Sequence, residues 1–420
     1  MDSVSRDQLS SVAAEARERW HVPGLAVGVL QDGEVVSAAD GLLELGKREA
    51  VTPATVFRVA SITKPFVATL TLTLVQNGLL SLEVPPPGSA LEATVGQLLS
   101  HQGGLASEWP ERLDGAGDDG EALIRLAEAE PEPLPVGPGE LFSYSNAGFW
   151  IVGGAIAKAA GMSFEEAMHA GVLEPLGLGA TGFGVEADER ATGHKQVEPG
   201  ADEHRPVEDV YPRVRRPSGG LWSSVDDLLR FAAHHLGGPG PLTAESIAEM
   251  QRPRVAGPGF RCGLGWFVTE NRGRPAVEHA GSAAGYQSLL VLVPNEQRAF
   301  VGLANSSRGG AAIRDVLEPL GLAPREAPDV ELRRDALAAF AGRYHGQGVE
   351  LEFVPENGGL RVELTELDPF SGETQVYPSV RARPIGAREF EIADGEWRGE
   401  RFDFPREGFV CMGSLAVRVE

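Results

Sequence analysis

Ser61 and Lys64 stand one helical turn apart at the start of an apolar run, FRVASITKPFVATLTLTLVQNGLL, residues 57–80. At this i,i+3 spacing a lysine amine reaches a serine hydroxyl. A serine is a poor nucleophile until a neighbouring base takes its proton. The chain has 37 lysines and arginines, yet only four are lysines: Lys47, Lys64, Lys158 and Lys195. Arginine carries nearly all the other positive charge, and a guanidinium stays protonated where a desolvated ammonium can give its proton up. Lys64 is therefore a candidate base. With 24 serines in the chain, a solitary Ser-x-x-Lys is also an ordinary coincidence, and an ordinary helix lysine is the competing explanation.

Two further clusters could do chemistry. GELFSYSNAGFW places Tyr144, Ser145 and Asn146 just before a helix, and AVEHAGSAAGY places His279, Ala280 and Gly281 at the end of a strand that opens a hairpin. Each has a structural explanation: a packed ring, a helix N-cap, a histidine at a strand end. Those explanations do not account for the succession of Ser-x-x-Lys at a helix start, Tyr-x-Asn in a loop and His-x-Gly on a strand. Gly-x-Ser-x-Gly, His-Glu-x-x-His and a phosphate loop are all missing from the sequence, so neither a metal nor an organic cofactor is expected.

The elements that must position these residues read as helix, then hairpin, then a long helical region. GLAVGVLQDGEVVSAADG contains two β-rich runs joined by Asp-Gly, a strong hairpin signal. After Ser61 the apolar positions Phe66, Leu70, Leu74 and Val75 share one helical face, and Asn77-Gly78 stops the helix. FWIVGGAIAKAAG and SFEEAMHAGVLEPLG read as two more helices. Residues 106–140 look like a surface excursion around one short helix, and residues 182–216 like a long, charged, proline-containing loop. A second hairpin is expected around Pro294-Asn295-Glu296. Beyond PREAPDVELRRD the texture changes to short alternating strands with Asn-Gly-Gly and Asp-Gly turns, the pattern of a small antiparallel barrel. The expected organisation is thus two domains, 1–328 and 329–420, the second shaping the mouth of the site rather than supplying catalytic groups.

The formal net charge of −23 disfavours nucleic acid and anionic membrane surfaces as partners. Cys262 and Cys411 lie far apart without metal-site spacing, so buried free thiols are expected. The N-terminus lacks the apolar run of a signal peptide, and no stretch is long enough to span a membrane. A cytoplasmic protein is the expectation, with Met1 taken as the start.

In their order the three motifs resemble those of the serine β-lactamase and penicillin-binding protein superfamily. Tyr-x-Asn and His-x-Gly in second and third place are similar to the branch of class C β-lactamases, D-alanyl-D-alanine carboxypeptidases, D-aminopeptidases and related esterases. The resemblance runs from about residue 5 to 320 and includes LLSHQGGL, PGELFSYSN and GGLWSSVDDLLRF. It implies an α+β fold, an antiparallel sheet flanked by helices plus an all-helical region. The C-terminal barrel is similar to the lipocalin-like domains appended to D-aminopeptidases and to penicillin-binding-protein-type thioesterases. His101, Gly219 and Gly220 are read as structural.

The implied chemistry makes Ser61 the nucleophile and Lys64 its base, with Tyr144 passing the proton to the leaving group and activating water afterwards. Asn146 would bind the acyl-side amide, Gly281 and Ser282 would border the substrate, and the N–H groups of Ser61 and Ser282 would form an oxyanion hole. His279 would orient the tyrosine and stay neutral. A hydrolase of esters or amides, of esterase or D-amino-acid-peptidase type, is the first expectation, with a small-molecule or peptide acyl substrate. An acyltransferase or peptide cyclase using the same acyl-enzyme, and a non-catalytic scaffold or ligand sensor, are the alternatives. A neutral His279 and the methyl group of Ala280 offer a substrate carboxylate little, unless Ser282 or an arginine of the 213–216 run reaches in.

Overall fold

Strand Gly24–Gln31 is buried along nearly all of its length, and its continuous apolar sequence reflects helices packed on both faces of the sheet that contains it. The computed structural model describes the chain apart from residues 1–3, 110–116, 130–132, 185–189, 199–200, 209, 272, 324–326, 368–371, 396 and 420. The strand turns back into Glu34–Gly41 through Asp32 and Gly33, whose φ values of 54° and 81° are those of a two-residue hairpin loop. Eight antiparallel strands form the sheet. Across it lie Glu34–Gly41, Gly24–Gln31, Arg298–Ala304, Tyr286–Val293, Arg274–Ala283, Phe267–Asn271, Phe260–Cys262 and Val255–Gly257. The expected hairpin of Tyr286–Val293 with Arg298–Ala304 turns through Pro294–Glu296.

Helix α1 (Arg6–Arg19) and the helix Gly309–Leu317 cover one face, closing a core around Leu25, Val27, Phe300 and Ile313. The other face packs on the helical region, where α2 (Thr63–Gln76) and α3 (Asn146–Ala160) lie in the largest core. The sequence places a single apolar face on α2. In the structure that helix is buried nearly all round, from Thr63 to Leu72. Its threonines make this possible: Thr69, Thr71 and Thr73 donate their hydroxyls to carbonyls one turn back, at 2.8, 2.8 and 3.1 Å.

The described part of residues 182–216 holds more regular structure than the expected loop. It includes a small hairpin, His194–Gln196 with His204–Pro206, and ends in the helical turns Arg213–Arg215 and Arg216–Gly219. Parts of the 106–140 excursion lie outside the described residues, and its helix is Ala122–Ala127.

The C-terminal strands close into an eight-stranded antiparallel barrel, because Val349–Glu356 pairs with Gly342–Gly346 on one side and Gly359–Leu367 on the other. Its interior is packed with Phe353, Phe390, Phe402, Phe404 and Tyr344. The barrel meets the first part of the chain in an apolar cluster that holds both buried free cysteines, Cys262 and Cys411, beside Phe142, Val136 and Leu415. Among the described residues no single helix is long and apolar enough to cross a membrane.

Candidate active site

Ser61 lies in a short 3-10 turn, Ala60–Ile62, that runs directly into α2. Ala60 carries a φ of 47°, a left-handed backbone that an alanine adopts at a cost. Two contacts enforce the turn. Thr63 donates its hydroxyl to the Ala60 carbonyl at 2.7 Å, and Ser288 donates to the Val59 carbonyl at 2.8 Å. The strand Arg274–Ala283 presses against this turn at Gly281, where a Cβ would collide with the Val59 carbonyl and the Ser288 hydroxyl and stand 3.1 Å from the Ser61 nitrogen. Only glycine allows that approach.

Lys64 is fully buried, and its Nζ has three partners: Asn146 Oδ1 at 2.7 Å, the Ser218 carbonyl at 2.7 Å and Ser61 Oγ at 3.2 Å. Burial holds its pKa well below the usual lysine range; the charge of Glu108 opposes this and that of Arg215 reinforces it. A neutral amine has two hydrogens. Carbonyl oxygens only accept, so once Lys64 has lost a proton the Asn146 and Ser218 oxygens take those two hydrogens and the lone pair is left for Ser61.

Tyr144 donates its hydroxyl to Ser61 Oγ at 2.9 Å. Burial pushes the phenol upward in pKa, with the hydrogen bond to Ser61 opposing, so the group at Ser61 is a phenol and not a phenolate. Its ring is stacked on His101, 4.3 Å between centroids at 24°, and the amine of Lys64 lies 4.7 Å from the ring centre. His101, expected to be merely structural, therefore contacts the tyrosine directly. Its Nδ1 accepts from the Ser145 amide at 3.0 Å. Like Ala60, it has a positive φ, 57°. Of the five described non-glycine residues with positive φ, one adjoins this serine and one stacks on the tyrosine bonded to it, and backbone strain is characteristically stored at such sites.

The structure thus brings Ser61, Lys64, Tyr144 and Asn146 into one hydrogen-bonded cluster. His279 is placed differently. It is buried, its Nδ1 lies 2.6 Å from the Ala280 carbonyl, and its ring stacks on Phe267. It makes no hydrogen bond to Tyr144, so the expected orientation of the tyrosine falls to His101. Burial, followed by the charge of Lys64, pulls the pKa of His279 down to about 3, and the imidazole is neutral. Ser282 lines the cleft and its hydroxyl accepts from Gln287 Nε2 at 2.9 Å.

Two residues were not legible as part of the site. Glu108, with a side chain 13% exposed, accepts from Asn146 Nδ2 and lies 3.9 Å from Arg215. Gln347 of the barrel clamps the Glu108 backbone on both sides, accepting from its N–H at 2.6 Å and donating to its carbonyl at 2.5 Å. The only hint in sequence is an isolated acid in LASEWP. Arg213 and Arg216 both pair with Glu165 and so turn away from the role of carboxylate receptor.

Ser61 lies where two lobes of one cleft meet, of about 1350 and about 1510 Å³. The first runs along His279, Ala280 and Phe267 toward Arg401 of the barrel; the second runs between Tyr211, Arg215 and the barrel residues Val376 and Tyr377. Among the described residues no group of three or more acidic, histidine or cysteine side chains is arranged to hold a metal ion.

A family model described as Beta-lactamase matches residues 10–319. Penicillin-binding protein 4 from Amycolatopsis lactamdurans is 32% identical over 373 residues, covering 79% of this chain and 95% of that protein. Esterase EstB from Burkholderia gladioli is 31% identical over 301 residues, 60% of this chain and 74% of its own. Among solved structures, SurE matches 99% of both chains with a TM-score of 0.78 at 25% identity, and SurE with D-Leu matches with a TM-score of 0.76.

Proposed function

The chain belongs to the beta-lactamase family, and on that premise we propose that it is a serine hydrolase that forms an acyl-Ser61 intermediate from uncharged esters or amides. The observation that carries this reading is the placement of the buried Lys64 amine, bonded at 2.7 Å to two carbonyl oxygens and 3.2 Å from Ser61 Oγ, so that on losing a proton it turns its lone pair toward the serine. Lys64 takes the Ser61 proton as Oγ attacks the substrate carbonyl carbon. The N–H groups of Ser61 and Ser282 stabilise the oxyanion. As the tetrahedral adduct collapses, Tyr144 gives its proton to the departing oxygen or nitrogen and is reprotonated from Lys64. The same two groups then deprotonate the water that releases the acid. Asn146 offers the substrate the second of its two N–H hydrogens, the first being held by Glu108.

Substrates without a carboxylate beside the scissile bond fit this site best. The imidazole of His279 is neutral, Ala280 presents a methyl group, the Ser282 hydroxyl is engaged by Gln287, and Arg213, Arg215 and Arg216 face Glu165 or Glu108. A buried carboxylate would be left under-compensated. The similarity to SurE, determined with D-Leu, favours a D-amino-acid residue in the substrate. Two lobes meeting at Ser61 also leave room for an amine in place of water as acceptor, which would make the same intermediate an acyltransferase or peptide cyclase.

Turnover of p-nitrophenyl acetate by wild type, Ser61→Ala and Lys64→Arg tests the reading, together with fluorophosphonate labelling followed by intact mass. Ser61→Ala abolishes both turnover and label, and Lys64→Arg is nearly as harmful, since arginine keeps the charge but cannot accept the proton. A folded wild type that takes no label at Ser61 overturns the reading.

A further inference from the structure

Asn146 is an amide, and its two ends are interchangeable in shape but opposite in chemistry. With Oδ1 toward Lys64 it occupies one amine hydrogen and leaves the lone pair for Ser61. With Nδ2 toward Lys64 it would donate to that lone pair and remove the base. Lys64 alone does not decide between the two, because an amine both donates and accepts. Glu108 does decide. An ionised carboxylate only accepts, it lies on the far side of Asn146, and it receives Nδ2.

We propose that Glu108 is a positioning residue for proton transfer at Ser61, fixing the Asn146 amide and, in opposition to Arg215, setting how readily Lys64 carries a proton. The inference rests on the acyl-serine reading and adds to it a group that does not touch Ser61. Glu108 is built to stay in place: Gln347 holds both polar groups of its peptide backbone, and its side chain is largely covered. The titratable and charged groups around Lys64 are Tyr144, His101, His279, Glu108 and Arg215. Burial, then the charge of Lys64, holds His101 well below the usual imidazole range, as it does His279, and Tyr144 is a neutral phenol. Fixed charge therefore reaches the lysine from Glu108, which favours the ammonium, and from Arg215, which disfavours it.

The test is the pH profile of kcat and KM for p-nitrophenyl acetate in wild type, Glu108→Gln and Arg215→Met. Activity rises with pH as Lys64 loses its proton. Glu108→Gln, which removes a negative charge and lets the amide of Asn146 turn, moves that acid limb to lower pH. It also reduces kcat roughly tenfold, a part of the 10²–10⁴ that a positioned base supplies, with KM unchanged. Arg215→Met moves the limb to higher pH. Limbs that stay at the wild-type position in both variants overturn the proposal, as does a change confined to KM, which would make Glu108 a substrate contact. If Glu108→Gln does not fold, Arg215→Met decides alone: an unmoved limb overturns it. Failure of the underlying reading looks different, because Ser61→Ala would then be as active as wild type.

Discussion

Tyr144 and Gly413 are joined main chain to main chain: the Tyr144 N–H donates to the Gly413 carbonyl at 3.1 Å. The next barrel residue, Ser414, donates its hydroxyl to the Tyr144 carbonyl at 3.0 Å, and the Leu415 N–H donates to Ser143 Oγ at 3.2 Å. Among the described residues the barrel gives Ser61 no hydrogen-bond partner, yet it grips the backbone of Tyr144, which is one. Ser414→Ala should therefore lower kcat for a small ester by up to about fivefold, the equivalent of ~1 kcal/mol for one hydrogen bond. Amide exchange at Tyr144 should quicken in parallel. A rise in KM alone, with exchange unchanged, would show that the hairpin only lines the cleft.

Tyr144→Phe removes one oxygen and keeps the ring, whose stacking on His101 and contact with Lys64 need no hydroxyl. The variant should melt within about 0.5 kcal/mol of wild type, as for a substitution without a packing change. Its kcat/KM should fall by roughly 10²–10⁴. Retention of near-wild-type turnover would remove the tyrosine from the proton path.

Five histidines are buried and all are depressed in pKa by burial, and the three most strongly depressed predict acid sensitivity. Burial, reinforced by neighbouring charge, depresses His235 and His279 to about 3 and His101 well below its usual range. Unfolded histidines titrate at about 6.5. Below that pH the unfolded chain binds protons that the folded chain refuses. The stability is thus complete above about pH 6.5 and is lost as pH falls toward the folded values. His235 pairs through Nε2 with the Thr69 hydroxyl at 3.1 Å, a contact that glutamine can reproduce. In urea unfolding between about pH 6 and 4, His235→Gln should flatten the stability slope by about 1.4 kcal/mol per pH unit, one proton's worth. An unchanged slope would mean that His235 does not fold in neutral.

Ala280→Thr places a hydroxyl on the strand edge beside Ser61, in register with Leu289 of the neighbouring strand. The ratio of kcat/KM for nitrocefin to that for p-nitrophenyl acetate should be low in the wild type and rise in the variant, because a hydroxyl compensates a carboxylate that a methyl group cannot. Efficient nitrocefin hydrolysis by the wild type would contradict the preference for uncharged substrates.

What was legible in the sequence was local. Asp32-Gly33 and Pro294–Glu296 announce their hairpins because a turn and its two strands are adjacent in the chain. Ser61 and Lys64 meet because they are a turn apart on one helix. Glu108 and His101 reach Asn146 and Tyr144 across about forty residues, a distance over which no periodicity speaks. The hairpin 194–206 has strands of three residues, too short for alternation to register against a charged background. The grip of the barrel on Tyr144 joins one backbone pair and two serine hydroxyls across some 270 residues of chain, a separation over which no local pattern in the sequence announces it.

That grip also sets an order of events. Ser414 leaves the ribosome 270 residues after Tyr144, and at about 5–20 residues per second the interval is tens of seconds. In that time the sheet and its helices can assemble around Ser61 and Lys64, while the tyrosine loop still lacks its barrel partners. On the proposed mechanism the nascent chain would then hold Ser61 and Lys64 together while Tyr144 is still loosely held, and full turnover would await the closure of a distant ring of strands. Activity measured on ribosome-stalled chains of increasing length would rise in one late step.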